Sequence, residues 1–402
     1  MSAVTKAAET AARTYAGTPT AYRKERNIIV MNKKEISEIR KLLNPVHQTI
    51  SRIAGCYVSA QKEKIVSFAR SFGLLEEEEI YKYLDLFRKG LSGTLGKNLI
   101  NMEFPDEQET EGGREEFLYR LNLSRLEDED LLEEFYDKVI EGYLTSESYL
   151  ILLIANDYDV PKVGSDQIEQ FDASEQVYSY LQALICPVDL AKPALSYDKE
   201  QQSFRSRIRD WVVGMPAAGF LFPAFNERMS DIHAVLYYSK NAEDLHFDLT
   251  ERVLGCQLPL PAPLQKEAFT ALVEETLGEN CDFETVKAIH DTLRDKREEA
   301  KDDPEPVTLD QHDVRIILSE AGMKEDAIPA FEAAYEENVG QDSLLHASNL
   351  PGTRKFEVHT PDVTITVSPD RTDLIEEKMI DGRRCLVIPI TDEVTVNGIR
   401  LH

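Results

Sequence analysis

The sequence predicts an α+β protein with mixed N-terminal and central α/β regions, a helical connector and a small C-terminal β domain. Three observations predict it. Helix-period and strand-period segments interleave along the first half of the chain. Residues 149–155 form an unbroken apolar run of strand length. The tail past Lys355 is a series of short β-prone segments, with Asp381-Gly382 as a hairpin signal between the last two.

In order, residues 1–30 are Ala- and Thr-rich with scattered Arg and Lys, and are expected to be an unstructured leader ahead of a natural start at Met31. The N-terminal domain, 31–145, opens with a helix over 32–43, where Ile36, Ile39, Leu42 and Leu43 share one face and Asn44-Pro45 ends the run. Residues 49–59 and 64–72, rich in β-branched and aromatic side chains around a polar turn, predict a hairpin. Helices follow over 76–89 and 127–143, the latter with acids in its first turn to suit the helix dipole. In the central domain, 146–262, the run 149–155 predicts a strand in a sheet covered on both faces. Strands are also predicted over 177–188 and 204–213, with a polar turn at 197–202, a Gly/Pro-punctuated loop at 214–219 and an apolar block at 220–225. The helical connector, 263–345, carries helices within 264–299, a linker at 300–308, and short helices over 309–320 and 324–338. The β domain, 346–402, holds strands over 355–360, 363–367, 374–380 and 384–390.

Charge narrows the partners. In 402 residues, 73 Asp and Glu face 45 Lys and Arg, a net charge of -28. Such a surface repels phosphate backbones and anionic headgroups, so nucleic acid and membrane surfaces are poor partners. No apolar run approaches the roughly 20 residues that cross a bilayer. Cys56, Cys186, Cys256, Cys281 and Cys385 are odd in number, scattered and without a C-x-x-C pair. That pattern predicts reduced thiols in a cytoplasmic setting, with no metal-ligand spacing among them.

Several motifs invite chemistry. Gly90-Leu91-Ser92-Gly93-Thr94-Leu95-Gly96-Lys97-Asn98 resembles a phosphate loop, but Asn98 stands where a magnesium-holding hydroxyl belongs, and the loop follows a helix. A flexible connection is expected instead. Asp157 and Asp159, just past the strand at 149–155, could share a divalent cation such as magnesium, with Asp172 or Asp189 as further ligands. The competing reading is an acidic surface loop. Arg205, Arg207 and Arg209 alternate, so one extended strand would place all three on one face. There they would pair with the protein's own carboxylates or grip a small anionic ligand. Trp211, the only tryptophan, with Met215, Phe220, Phe222 and Phe225, forms the densest aromatic stretch, either core or a patch for a protein partner. His47, His233, His246, His290, His312, His346 and His359 form no ligand pair in sequence, and Cys56 reads as a buried strand thiol rather than a nucleophile.

Five strings stand out together: Ile53-Ala54-Gly55-Cys56-Tyr57-Val58, Leu91 to Leu99, Arg209-Asp210-Trp211-Val212-Val213-Gly214-Met215-Pro216, Gly219 to Phe225, and Thr353-Arg354-Lys355-Phe356-Glu357. With them, the chain from Met31 onward resembles an uncharacterised bacterial family of Gram-positive anaerobes, domain of unknown function 4317. The resemblance implies a bacterial cytoplasmic setting and carries no activity, cofactor or catalytic residue. The residues themselves favour a non-catalytic binding or regulatory protein, working through the stretch 204–225. The alternative is a metal-dependent hydrolase or phosphotransfer-type enzyme, with Asp157 and Asp159 holding the metal and the arginines holding an anionic substrate.

Overall fold

A computed structural model describes residues 30–46, 49–163, 169–340, 343–352, 355–390, 395–396 and 399–400, with backbone only for 162–163, 169–175 and 395–396. The expected leader at 1–30 lies outside the described residues except for its last position. The chain divides between Pro261 and Ala262 into two compact units.

The first unit is built on an antiparallel sheet. Helix α1 (Lys33–Leu42) starts where the sequence predicts it. The Asn32 side chain accepts from the Lys34 and Glu35 amides, and the Glu35 carboxylate accepts the Asn32 amide at 2.8 Å. The predicted hairpin follows as β1 (Ile50–Val58) and β2 (Lys64–Ser71), then α2 (Glu77–Gly90), β3 (Leu99–Glu103), α3 (Arg114–Leu123) and α4 (Glu129–Gly142). The chain continues through β4 (Tyr149–Val163), β5 (Glu169–Leu190), β6 (Leu195–Asp198), β7 (Ser203–Ser206), β8 (Trp211–Val213), β9 (Ala218–Phe222), β10 (Ala224–Asn226), β11 (Met229–Asp231) and β12 (Ala234–Ser239). The main sheet runs β2-β1-β4-β5-β9-β12-β3, with every neighbour antiparallel.

Both faces of this sheet are covered. Leu152, Ile154, Leu184, Leu221 and Leu236 point into one core with Ile39 of α1 and with Leu84 and Phe87 of α2. The alternate residues Ile151, Ala183, Phe220 and Tyr237 meet Phe135 and Val139 of α4 and the helical segment Thr250–Leu254. Phe135 and Phe220 lie 6.2 Å apart, ring to ring. Two-sided burial explains why 149–155 carries no polar alternation although its sheet is antiparallel. Strands β3 and β12 and helix α3 fall where the sequence predicts no element. β12 is buried along its whole length, so it too lacks a period of two. The boundary expected at 145/146 runs through one core, because β1 to β3 share the sheet with β4, β5, β9 and β12.

The second unit packs α5 (Ala262–Leu277), α6 (Phe283–Glu299), α7 (Gln311–Glu320) and α8 (Ile328–Asn338) around Phe269, Leu272, Leu293, Ile317, Phe331 and Tyr335. β13 (Thr308–Leu309) pairs with β14 (Leu345–His346) across α7 and α8, and the tail forms short hairpins: β15 (Phe356–His359) pairs β16 (Thr364–Val367), and β17 (Glu376–Ile380) pairs β18 (Arg383–Val387). At the last turn Asp381 and Gly382 take φ of 48° and 76°, the two positive values a tight hairpin of matching twist requires. Phe356 packs 5.0 Å from the His290 ring of α6, and Thr372 Oγ1 donates to Asp291 Oδ1 at 2.9 Å. The expected helical connector and β domain therefore share side-chain contacts across residue 345.

Candidate functional site

The stretch 188–215 leaves the sheet. β5 and the returning chain form one hairpin whose lower half, β5 with β9, lies in the sheet. The upper half does not. β4 begins at Tyr149, opposite Pro187, and β12 ends at Ser239, opposite Ala218. One further bond follows on each edge, Val188 N to Ser148 O and Lys240 N to Ala217 O, both 2.8 Å; beyond these the hairpin has no sheet neighbour among the described residues, and it continues as a two-stranded arm.

The arm keeps one register from base to tip. Val188 faces Val213 and Leu190 faces Trp211 at the base, and Leu195 faces Ser206 and Asp198 faces Ser203 near the tip. Between them the ladder thins to two bonds, Ala191 N to Asp210 O and Arg207 N to Ala194 O, both 2.8 Å. Pro193, opposite Ile208 by the same count, has no amide to donate, so a regular ladder cannot close there. This interruption corrects the expected strand at 204–213: residues 207–210 are not strand.

The break also redistributes the arginines, which do not share one strand face. Arg205 Nε reaches Asp198 Oδ2 at 3.2 Å, while the other oxygen of Asp198 accepts the Glu200 amide and shapes the tip turn. Arg209 turns back on the arm's own backbone, its Nε 2.6 Å from Ala191 O. Arg207 is exposed. Two of the three guanidiniums thus contact the hairpin itself, Arg205 through a carboxylate and Arg209 through main-chain carbonyls.

The aromatic stretch splits in two. Trp211 is 61% exposed and Met215 50%, whereas Phe222 and Phe225 are 0% exposed and Phe220 is buried. Phe222 meets Phe104 edge-on at 5.8 Å, and Phe225 sits 4.6 Å from Tyr178. Phe220, Phe222 and Phe225 are core and cannot touch a partner without unfolding the sheet, which corrects their place in the predicted patch. Their exposed replacements lie on the arm: Leu195, Tyr197, Phe204, Ile208, Val212 and Val213. Tyr197 and Phe204 face one another at 5.4 Å and hold a small apolar cluster open to water near the tip. The sequence offered the signal in Tyr197, Phe204 and Ile208, which flank the arginines and a turn.

The acidic pair stands elsewhere. β4 runs on to Val163, so Asp157 and Asp159 lie within a strand of an antiparallel sheet rather than in a loop past its end. Asp157 is engaged: Arg125 bridges to Oδ2, and Ser179 Oγ donates to Oδ1 at 2.5 Å. Asp159 is exposed. Asp189 sits near the far end of β5, opposite Val212, ten positions beyond the partner of Asp157 and about 30 Å along the strand, too far to share an ion. The Asp172 side chain lies outside the described residues. The phosphate-loop look-alike follows α2, and its Asn98 Nδ2 donates to Ser239 O at 3.0 Å, tying β3 to the end of β12. Burial pushes the Cys56 thiol up to about 11, which keeps it protonated and unreactive.

The family described as Domain of unknown function (DUF4317) matches residues 31–399. The chain belongs to this family. No curated protein and no solved structure matches it. No helix among the described residues is long and apolar enough to cross a membrane. In this DUF4317 chain the arm carries a dense run of exposed large apolar side chains, Leu195, Tyr197, Phe204, Ile208 and Trp211 to Val213 among them.

Proposed function

We propose that the protein is a non-catalytic binding protein that docks on another protein through the arm at 188–215. The observation that carries this reading is the concentration of exposed large apolar side chains there: Phe204 is 71% exposed, Ile208 75% and Leu195 74%, on a ribbon with two open edges. A two-stranded hairpin is marginal in water, and its free edges and apolar side chains are costs that a partner's surface removes. Charge favours an acidic partner. The arm carries Lys192, Lys199, Arg205, Arg207 and Arg209 against Asp189, Asp198, Glu200 and Asp210, a slight cationic excess on a chain of net charge -28. The fitting partner presents an apolar groove rimmed with carboxylates.

The test places a photo-crosslinking side chain at Phe204, at Trp211 and, as control, at Leu74, which is also exposed but lies in the first unit away from the arm. Crosslinking in the native cell should give one discrete heavier species from positions 204 and 211 and none from 74. A ladder common to all three positions, or no product from the arm, overturns the reading. A product of twice the chain mass would assign self-association in place of a different partner.

A further inference from the structure

A second site lies where β3 leaves the sheet, and it is independent of the arm. Phe104 N donates to His233 O at 2.9 Å, extending the β3–β12 ladder by one pair, and the chain then turns through Asp106–Gln108 into α3. That turn is tight. Gly113 N donates to Thr110 O at 2.8 Å, Arg114 N to Gln108 Oε1 at 3.2 Å, and Gly112 N to Glu116 Oε2 at 2.6 Å. The result sets Glu109, at the end of the turn, and Glu115, in the first turn of α3, beside His233 at the start of β12.

We propose that Glu109, Glu115 and His233 bind a divalent transition-metal ion of the zinc class. His233 Nδ1 lies 3.1 Å from Glu109 Oε1 and 3.6 Å from Glu115 Oε2. All three ligand atoms fall within 4.8 Å of one another, a grouping of three met only here among the described residues. Around an ion with bonds of about 2.0–2.2 Å, adjacent ligand atoms stand roughly 3.0–3.5 Å apart, so the set needs little movement to close. One imidazole with two carboxylates suits zinc or manganese rather than calcium, which takes six or more oxygens. Glu115 is only 7% exposed while His233 is half open to solvent, which leaves one side for water as a further ligand. The His233 backbone is fixed as well, its amide donating to Asp231 Oδ1 at 3.0 Å. Bound metal would lock the turn before α3 to β12.

The competing arrangement is a histidine–carboxylate ion pair with no metal, and the experiment separates the two. Full-length protein stripped with a chelator is titrated with zinc chloride by calorimetry, beside His233→Ala and Glu109→Gln, each confirmed as folded by circular dichroism. The proposal expects a site of one ion per chain whose affinity falls at least tenfold in His233→Ala and in Glu109→Gln. Manganese chloride should bind more weakly. An isotherm without a saturable site, or the same site in His233→Ala, overturns it. Arm crosslinking should be the same in His233→Ala as in the unaltered chain, so failure of one proposal leaves the other standing.

Discussion

Trp211 and Phe222 show what burial does to residues of one chemical kind. Trp211 stands 61% exposed on the arm, and its replacement by Ala should shift stability by no more than about 0.5 kcal/mol while weakening partner binding by about 2 kcal/mol, roughly thirtyfold. Phe222 is fully buried against Phe104, so Phe222→Ala should lose about 3–5 kcal/mol in chemical denaturation. The same argument bears on charge. Burial lowers the His346 pKa from 6.5 to about 4, so the folded second unit holds that ring neutral while the unfolded chain protonates it. Stability should therefore fall as pH drops from about 6.5 to about 4 and level off below, a loss on the order of 3 kcal/mol. Denaturant melts of His346→Leu across that range should show a flatter profile. His290 of the same unit, also lowered by burial, should leave a residual slope.

Elements with a clear composition or a clear terminus were legible in the sequence: the onset at Asn32 marks α1, the β-branched and aromatic residues of 49–59 around a polar turn mark β1 and its hairpin, and Asp381-Gly382 marks the last one. β3 and β12 were not, because β12, buried on both faces, has no alternation to read, β3 is only five residues long, and their pairing joins residues far apart in sequence. That pairing also hid the Glu109, Glu115 and His233 cluster, whose members look like lone side chains along the chain. The arginine stripe failed for a different reason. Alternation predicts a shared face only while the strand stays regular, and Pro193 on the opposite strand interrupts it. The arm as an element gives its own test. Pro193→Thr restores an amide donor, so the amides of 207–210 should exchange more slowly with deuterium, and the longer regular edge should raise light scattering on concentration. Unchanged exchange would mean that Pro193 is not what breaks the ladder.

At the scale of the molecule, the sheet and the arm are separable because one hairpin joins them and its register shifts by two residues between Ile185–Ala218 and Val188–Val213. Replacing residues 191–210 with Asn-Gly keeps Leu190 opposite Trp211 with a two-residue turn. The shortened protein should melt within about 1 kcal/mol of the full chain, since nearly every side chain removed is exposed. The sheet thus serves as a rigid base that presents the ribbon. Gly219 shows how tight that base is: a Cβ there would stand 2.4 Å from Ala183 O, so Gly219→Ala should unfold the first unit where arm variants do not. Because Trp211 is the only tryptophan in the chain and sits at the root of the arm, the protein carries its own reporter for docking. The decisive measurement is tryptophan emission with acrylamide quenching, taken on the purified protein and again with the crosslinked partner added. The docking account predicts a water-exposed, readily quenched Trp211 alone, and a blue-shifted, quench-protected one in the complex; a Trp211 equally quenched in both states would contradict it.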